Sequence, residues 1–177
     1  MFSSHLFRAP LGVPFFLMVF AFALVAFPGS PRAAEGIAAT EIDGSDFQSA
    51  HDALVEAIEA EGMVVGAVLP FGEMLERTGK MLERTGKQAE GGDAGPYRHA
   101  ELIQFCSAAL AHKMVREDAA QIAFCPLSIA IYVPAANPSR VVMAYRTPGS
   151  GTPARAQAGD LLARLVSRAA RLARLRW

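Results

Sequence analysis

The chain has 177 residues with 17 basic and 17 acidic side chains, a formal net charge of zero, and 52% hydrophobic residues. That balance argues against nucleic acid as a partner, and the length suits one domain with a real core. The charge is uneven: 35–104 holds 14 acidic and 5 basic side chains, whereas 153–177 holds six arginines and one aspartate.

"MFSSHLFRAP" carries Arg8 and no acid, "LGVPFFLMVFAFALVAF" at 11–27 is uncharged, and "PGSPRAA" follows. A basic start, an apolar middle and a small-residue exit have the order of a secretory signal. The run is slightly short of the ~20 residues of a membrane span. A cut after Ala34 places Arg32 where a small residue is preferred. Residues 1–34 are therefore read as a signal peptide or as an N-terminal membrane anchor built on 11–27. Either way the rest belongs to the periplasm or cell envelope, where thiols oxidise.

"GIAATEI" at 36–42 is a candidate first strand. In "SDFQSAHDALVEAIEAEGM", Ser45 and Gln48 have capping-box spacing, and Phe47, Ala50, Leu54, Val55 and Ile58 form one helical stripe. Gly62 supplies the stop, and "MVVGAVLP" reads as a strand. "MLERTGK" occurs at 74–80 and again at 81–87. Two copies are too few for a coiled coil or a solenoid, and each holds Thr-Gly, so the spacing predicts a duplication in a loop or hairpin arm. "QAEGGDAGPYRH" at 88–99 reads as a loop.

"AELIQFC" alternates, with Ile103 and Phe105 on one face and Leu102 and Gln104 on the other. Ser107 can cap a short helix to about Glu117 that turns Leu110 and Met114 inward. Pro126 requires an extended Cys125. "SIAIYVP" and "RVVMAYR" flank the turn "AANPS" as an antiparallel hairpin. Thr152 and Pro153 open a basic helix over 153–175. These elements predict an α+β two-layer sandwich over 36–175, mainly antiparallel, with helices on one face. The other face, assigned Tyr132 and Tyr145, is left for water, a ligand or a second subunit.

The pieces "MLERTG", "AELIQFCSAALAHKMVREDAAQIAFCPLSIAIYV" and "RVVMAYR" resemble the bacterial domain-of-unknown-function 302 family, in that family's order and across most of 45–150. The resemblance implies a compact α+β fold similar to the TATA-binding-protein-like class, frequent export and homodimers, and no established catalytic set. Two departures stand out. The heptad is doubled here, and "VLPFGEMLERTG" places Phe71 near the position where many relatives carry a histidine.

Cys106 and Cys125 are the only cysteines, and four readings compete. A structural disulfide is the default for an exported chain, with ~3 kcal/mol from closing such a loop. A redox pair lacks the C-x-x-C spacing that lowers a thiol pKa. Cys106, His112, Met114 and Cys125 form a soft ligand set for copper(I), although His112 and Met114 do not share a helix face. Buried inert thiols are the fourth reading.

Elsewhere His51 reads as a boundary residue of its helix and His99 as exposed. Arg77 and Thr78 read as an anion-binding turn or a solvated loop. Arg164, Arg168 and Arg171 line one side of the last helix, as a solvated face or as a contact for anionic lipid. No phosphate loop, nucleophile elbow or close His-Glu motif occurs. The sequence thus points to an exported binding or accessory module, a homodimer serving an unknown small ligand or envelope protein. The alternatives are a thiol-dependent redox protein and a soft-metal or heme-type carrier.

Overall fold

The computed structural model describes residues 36–84 and 95–176, so the leader-like segment and 85–94 lie outside the described residues. Ala33–Trp177 make one compact unit. In chain order its elements are β1 (Ile37–Asp43), α1 (Phe47–Ala60), β2 (Val64–Leu69), α2 (Phe71–Arg84), β3 (Tyr97–Cys106) and α3 (Ala108–Glu117). A 3₁₀ segment (Ala119–Phe124), β4 (Leu127–Pro134), β5 (Arg140–Arg146) and α4 (Pro153–Leu175) follow. The five strands form one antiparallel sheet in the order β1-β5-β4-β3-β2. The expected α+β architecture is the one observed, but the helices are not all on one face: Gly72 of α2 lies against Ala100, which pairs with Tyr132 on the side opposite α1 and α4.

Helix ends follow local chemistry. α1 is capped by Asp46 and not by Ser45: the Asp46 carboxylate accepts the Ser49 N–H and the Ser49 hydroxyl, each at 2.8 Å. A carboxylate suits the positive helix end better than a hydroxyl does. These bonds hold the Asp46 carboxyl below its ordinary pKa. At the other end the Gly62 N–H donates to Glu59 O at 2.8 Å and the Met63 N–H to Ile58 O at 3.3 Å, with Gly62 at φ 74°. This pair of bonds is the Schellman closure, which needs the left-handed backbone that glycine adopts freely. Ser107 caps α3 and Thr152 caps α4 as the sequence predicts. The Ala154 N–H also donates to both carboxylate oxygens of Glu117, at 3.0 and 3.2 Å.

Strand register sorts the residues by face. Ile131 pairs with Met143 and Met143 with Thr40, so these point one way; Tyr132 pairs with Val142 and Val142 with Glu41, pointing the other. The first face carries Ile103, Phe105, Ile129, Ile131, Val141 and Met143, all buried, against Leu54 and Ile58 of α1 and Leu162, Leu165 and Val166 of α4. Burying each large aliphatic side chain contributes ~1.5–3 kcal/mol. α1 and α4 pack together over this face, and Leu110 and Met114 of α3 close its end.

Three further expectations need correction, and one element had no counterpart in the sequence reading. Tyr145 pairs with Ala38 on the helix-covered side and packs on the core, so it does not share the open face with Tyr132. The side-chain period of two decides this, because Tyr145 lies an even number of residues from Met143. Residues 74–84 of the doubled heptad are helical and not a loop, and Arg77 and Thr78 lie within that helix; the Thr78 hydroxyl donates to Met74 O at 2.9 Å. Met, Leu, Glu, Arg and Lys are strong helix formers, and the Glu76–Lys80 pair adds i,i+4 support. Together they outweigh the ~1 kcal/mol cost of Gly79. β3 begins at Tyr97, earlier than the loop reading allowed. The 3₁₀ segment was not foreseen; its polar Gln121 is buried and bonds Thr152.

Candidate functional site

The two cysteines meet at one end of the sheet. Phe105 of β3 pairs with Leu127 of β4, so Cys106, the last residue of β3, and Cys125, two residues before β4, lie at the same end of neighbouring strands. Cys125 is extended, as the following proline requires, and ends the 3₁₀ segment. Both are free thiols, with Cys106 exposed and Cys125 partly buried. They line one crevice of about 10 Å³ together with Met114, Ser107, Leu110 and Leu127. Met114 is buried at 1% exposure. His112 is exposed and does not line the crevice, so the four-residue soft set reduces to three sulfurs.

Burial pushes the Cys125 thiol above its ordinary pKa, and the charge of a neighbouring Cys106 thiolate adds to the effect. Such a thiol stays protonated at neutral pH, which makes it a slow nucleophile and weighs against the redox reading. Among the described residues no group of three or more His, Cys, Asp or Glu could hold a metal ion.

The open sheet face is a second feature. Ala39, Ala144, Ala130 and Ala100 make it flat, with Val142 and Tyr132 among them. The rings of Tyr97 and Tyr132 meet edge to face with centroids 5.2 Å apart. Burial raises the Tyr132 hydroxyl pKa, with smaller contributions from Tyr97 and Glu41. Arg140 holds Glu41 at 2.7 Å and Asp43 at 3.3 Å along one edge. α2 meets the sheet along β3, where a Cβ placed on Gly72 would lie 3.1 Å from the Ala100 nitrogen.

Sequence reasoning missed a third feature. His51 Nδ1–H donates to Glu101 Oε2 at 2.8 Å, and His99 stacks on Phe47 at 5.1 Å. The signal was present, because Glu101 falls on the inward alternation of Ile103 and Phe105. An inward acid on a strand implies a partner on the covering helix. A cleft of about 280 Å³ lies between α3 and α4, lined by Lys113 and Arg164 and by Glu61 and Asp160. It mixes both signs of charge, and its one hydroxyl, Ser107, is engaged in capping α3.

Arg164, Arg168 and Arg171 are exposed along one side of α4. The apolar stripe of α4, from Leu161 to Ala173, is buried in the core. An anionic surface would therefore meet guanidinium groups alone, because the helix has no free apolar side to insert. No described helix is long and apolar enough to cross a membrane.

The family model described as "Domain of unknown function DUF302" matches residues 39–168. A crystal structure of an uncharacterized conserved DUF302 protein from Bacillus stearothermophilus is similar, with a TM-score of 0.55 and 14% identity, covering 77% of this chain and 99% of that one. No match is found among curated proteins.

Proposed function

Because the chain belongs to the DUF302 family, we propose that it serves as an exported binding or accessory module, joined as a homodimer through the open face of its sheet. One observation carries this reading: α1, α3 and α4 contribute to one core cluster on a single side, whereas on the Tyr132 side α2 alone approaches, touching mainly β3 at Ala100. A five-stranded face with strands of about seven residues measures roughly 24 by 23 Å. That is about 550 Å², below the ~800 Å² per partner of a standard interface and in the size class of weaker association. A flat, alanine-rich centre with a tyrosine pair matches another flat face better than it encloses a small molecule. A two-fold dimer needs only such a self-complementary patch.

Light scattering across a dilution series tests the dimer. The wild type should weigh twice the chain mass and Tyr132→Asp should be monomeric with an unchanged circular dichroism spectrum. A wild type that stays monomeric at roughly 100 µM, far above the Kd of a stable homodimer, would refute the reading. Export rests on the order of basic, apolar and small residues in 1–34. A phosphatase reporter fused after residue 45 should be active, since that enzyme needs an oxidising compartment.

A further inference from the structure

We propose that the crevice between Cys106, Cys125 and Met114 binds one bare, soft monovalent cation of the copper(I) or silver(I) class. This stands apart from the dimer proposal, since the sheet face plays no part in it. Two thiols and a thioether are the ligand set that selects such ions over harder divalent metals. Harder metals find no alternative set, because the described residues offer no group of three His, Cys, Asp or Glu.

Size points the same way. A volume of about 10 Å³ is near the ~10–15 Å³ needed for a single water. It excludes an organic ligand or a hydrated ion and leaves room for one atom. The walls contributed by Leu110 and Leu127 are apolar, which favours an ion that sheds its water readily. Cys106 is exposed and gives the entry, Cys125 is partly buried, and Met114 forms the floor.

Binding proceeds without electron transfer. Each thiol releases its proton to the buffer as its sulfur lone pair takes the cation, so one ion displaces two protons and leaves a complex of net charge −1. A cation held between the two sulfurs favours their deprotonated forms. Cys106 also directly precedes the cap of the ten-residue α3, whose positive end favours that residual negative charge.

The test is a titration of the reduced, full-length protein under anaerobic conditions, with silver(I) by calorimetry and with copper(I) against a chromophoric chelator. One ion per chain is expected, with release of two protons. Cys106→Ser and Cys125→Ser should each weaken binding by more than about 100-fold, exceeding the effect of outer-shell changes. Met114→Leu preserves volume and keeps the fold; it should weaken binding about tenfold, while His112→Ala should change nothing. Circular dichroism shows whether each variant is folded. Failure of the reduced wild type to bind silver, or undiminished binding by folded Met114→Leu, overturns the site. So does a protein whose two sulfurs are bonded as isolated and which takes up no silver once reduced.

Discussion

α2 and α4 are both amphipathic helices, yet only one is built into the core. α4 buries nine residues along its length, including Leu162, Leu165 and Val166. In α2 none of the described side chains is buried, and Met81 is 60% exposed. Periodicity shows that a helix has an apolar side; it does not say that the fold supplies a surface to receive it. α4 follows a capped linker that lays it against α1, whereas α2 leaves the edge strand and touches mainly β3. The first is part of the stability of the unit, the second an appendage to it.

Four variants can break or sharpen this contrast. Leu165→Ala should lower unfolding free energy by ~2–5 kcal/mol, the usual cost of a core cavity. Leu75→Ala on α2 should cost under ~1 kcal/mol by the same urea titration. Equal losses would place α2 in the core. Asp46→Ala should cost ~1 kcal/mol, because α1 is the partner that holds α4 in place. The effect should depend on pH. The folded carboxyl lies below its ordinary value, so its contribution is complete above the unfolded pKa and fades as pH falls through the folded one. The two proteins should therefore differ in stability at pH 7 and converge under strong acid. The smallest effect belongs to removing residues 81–87, which should shift stability by no more than ~0.5 kcal/mol.

Much of this fold was legible. Alternation placed Ile129, Ile131 and Val133 inward on β4, and Ser107, Thr152 and Gly62 marked helix ends where the structure has them. The thiol pair was legible only in part. Extended Cys125 followed from Pro126, but that Met114 shares the crevice and His112 does not depends on how α3 turns against Leu127. Three facts lay beyond reading by eye. Asp46 displaced Ser45 because two adjacent residues could each cap and the carboxylate holds both Ser49 groups. The helix at 71–84 arose because side-chain propensity outweighed a Thr-Gly pair. Tyr145 faced inward because strand parity, and not aromatic character, assigns sides.

The close approach of Gly72 to Ala100 fixes the base of α2 on the sheet. Seven residues of α-helix advance about 10.5 Å and return to within ~20° of the starting azimuth. A repeated heptad inside such a helix lengthens the projection while leaving Met74 and Met81 aimed alike. Copy number would then act as a ruler, setting how far the tip stands from its anchorage without altering the direction it faces.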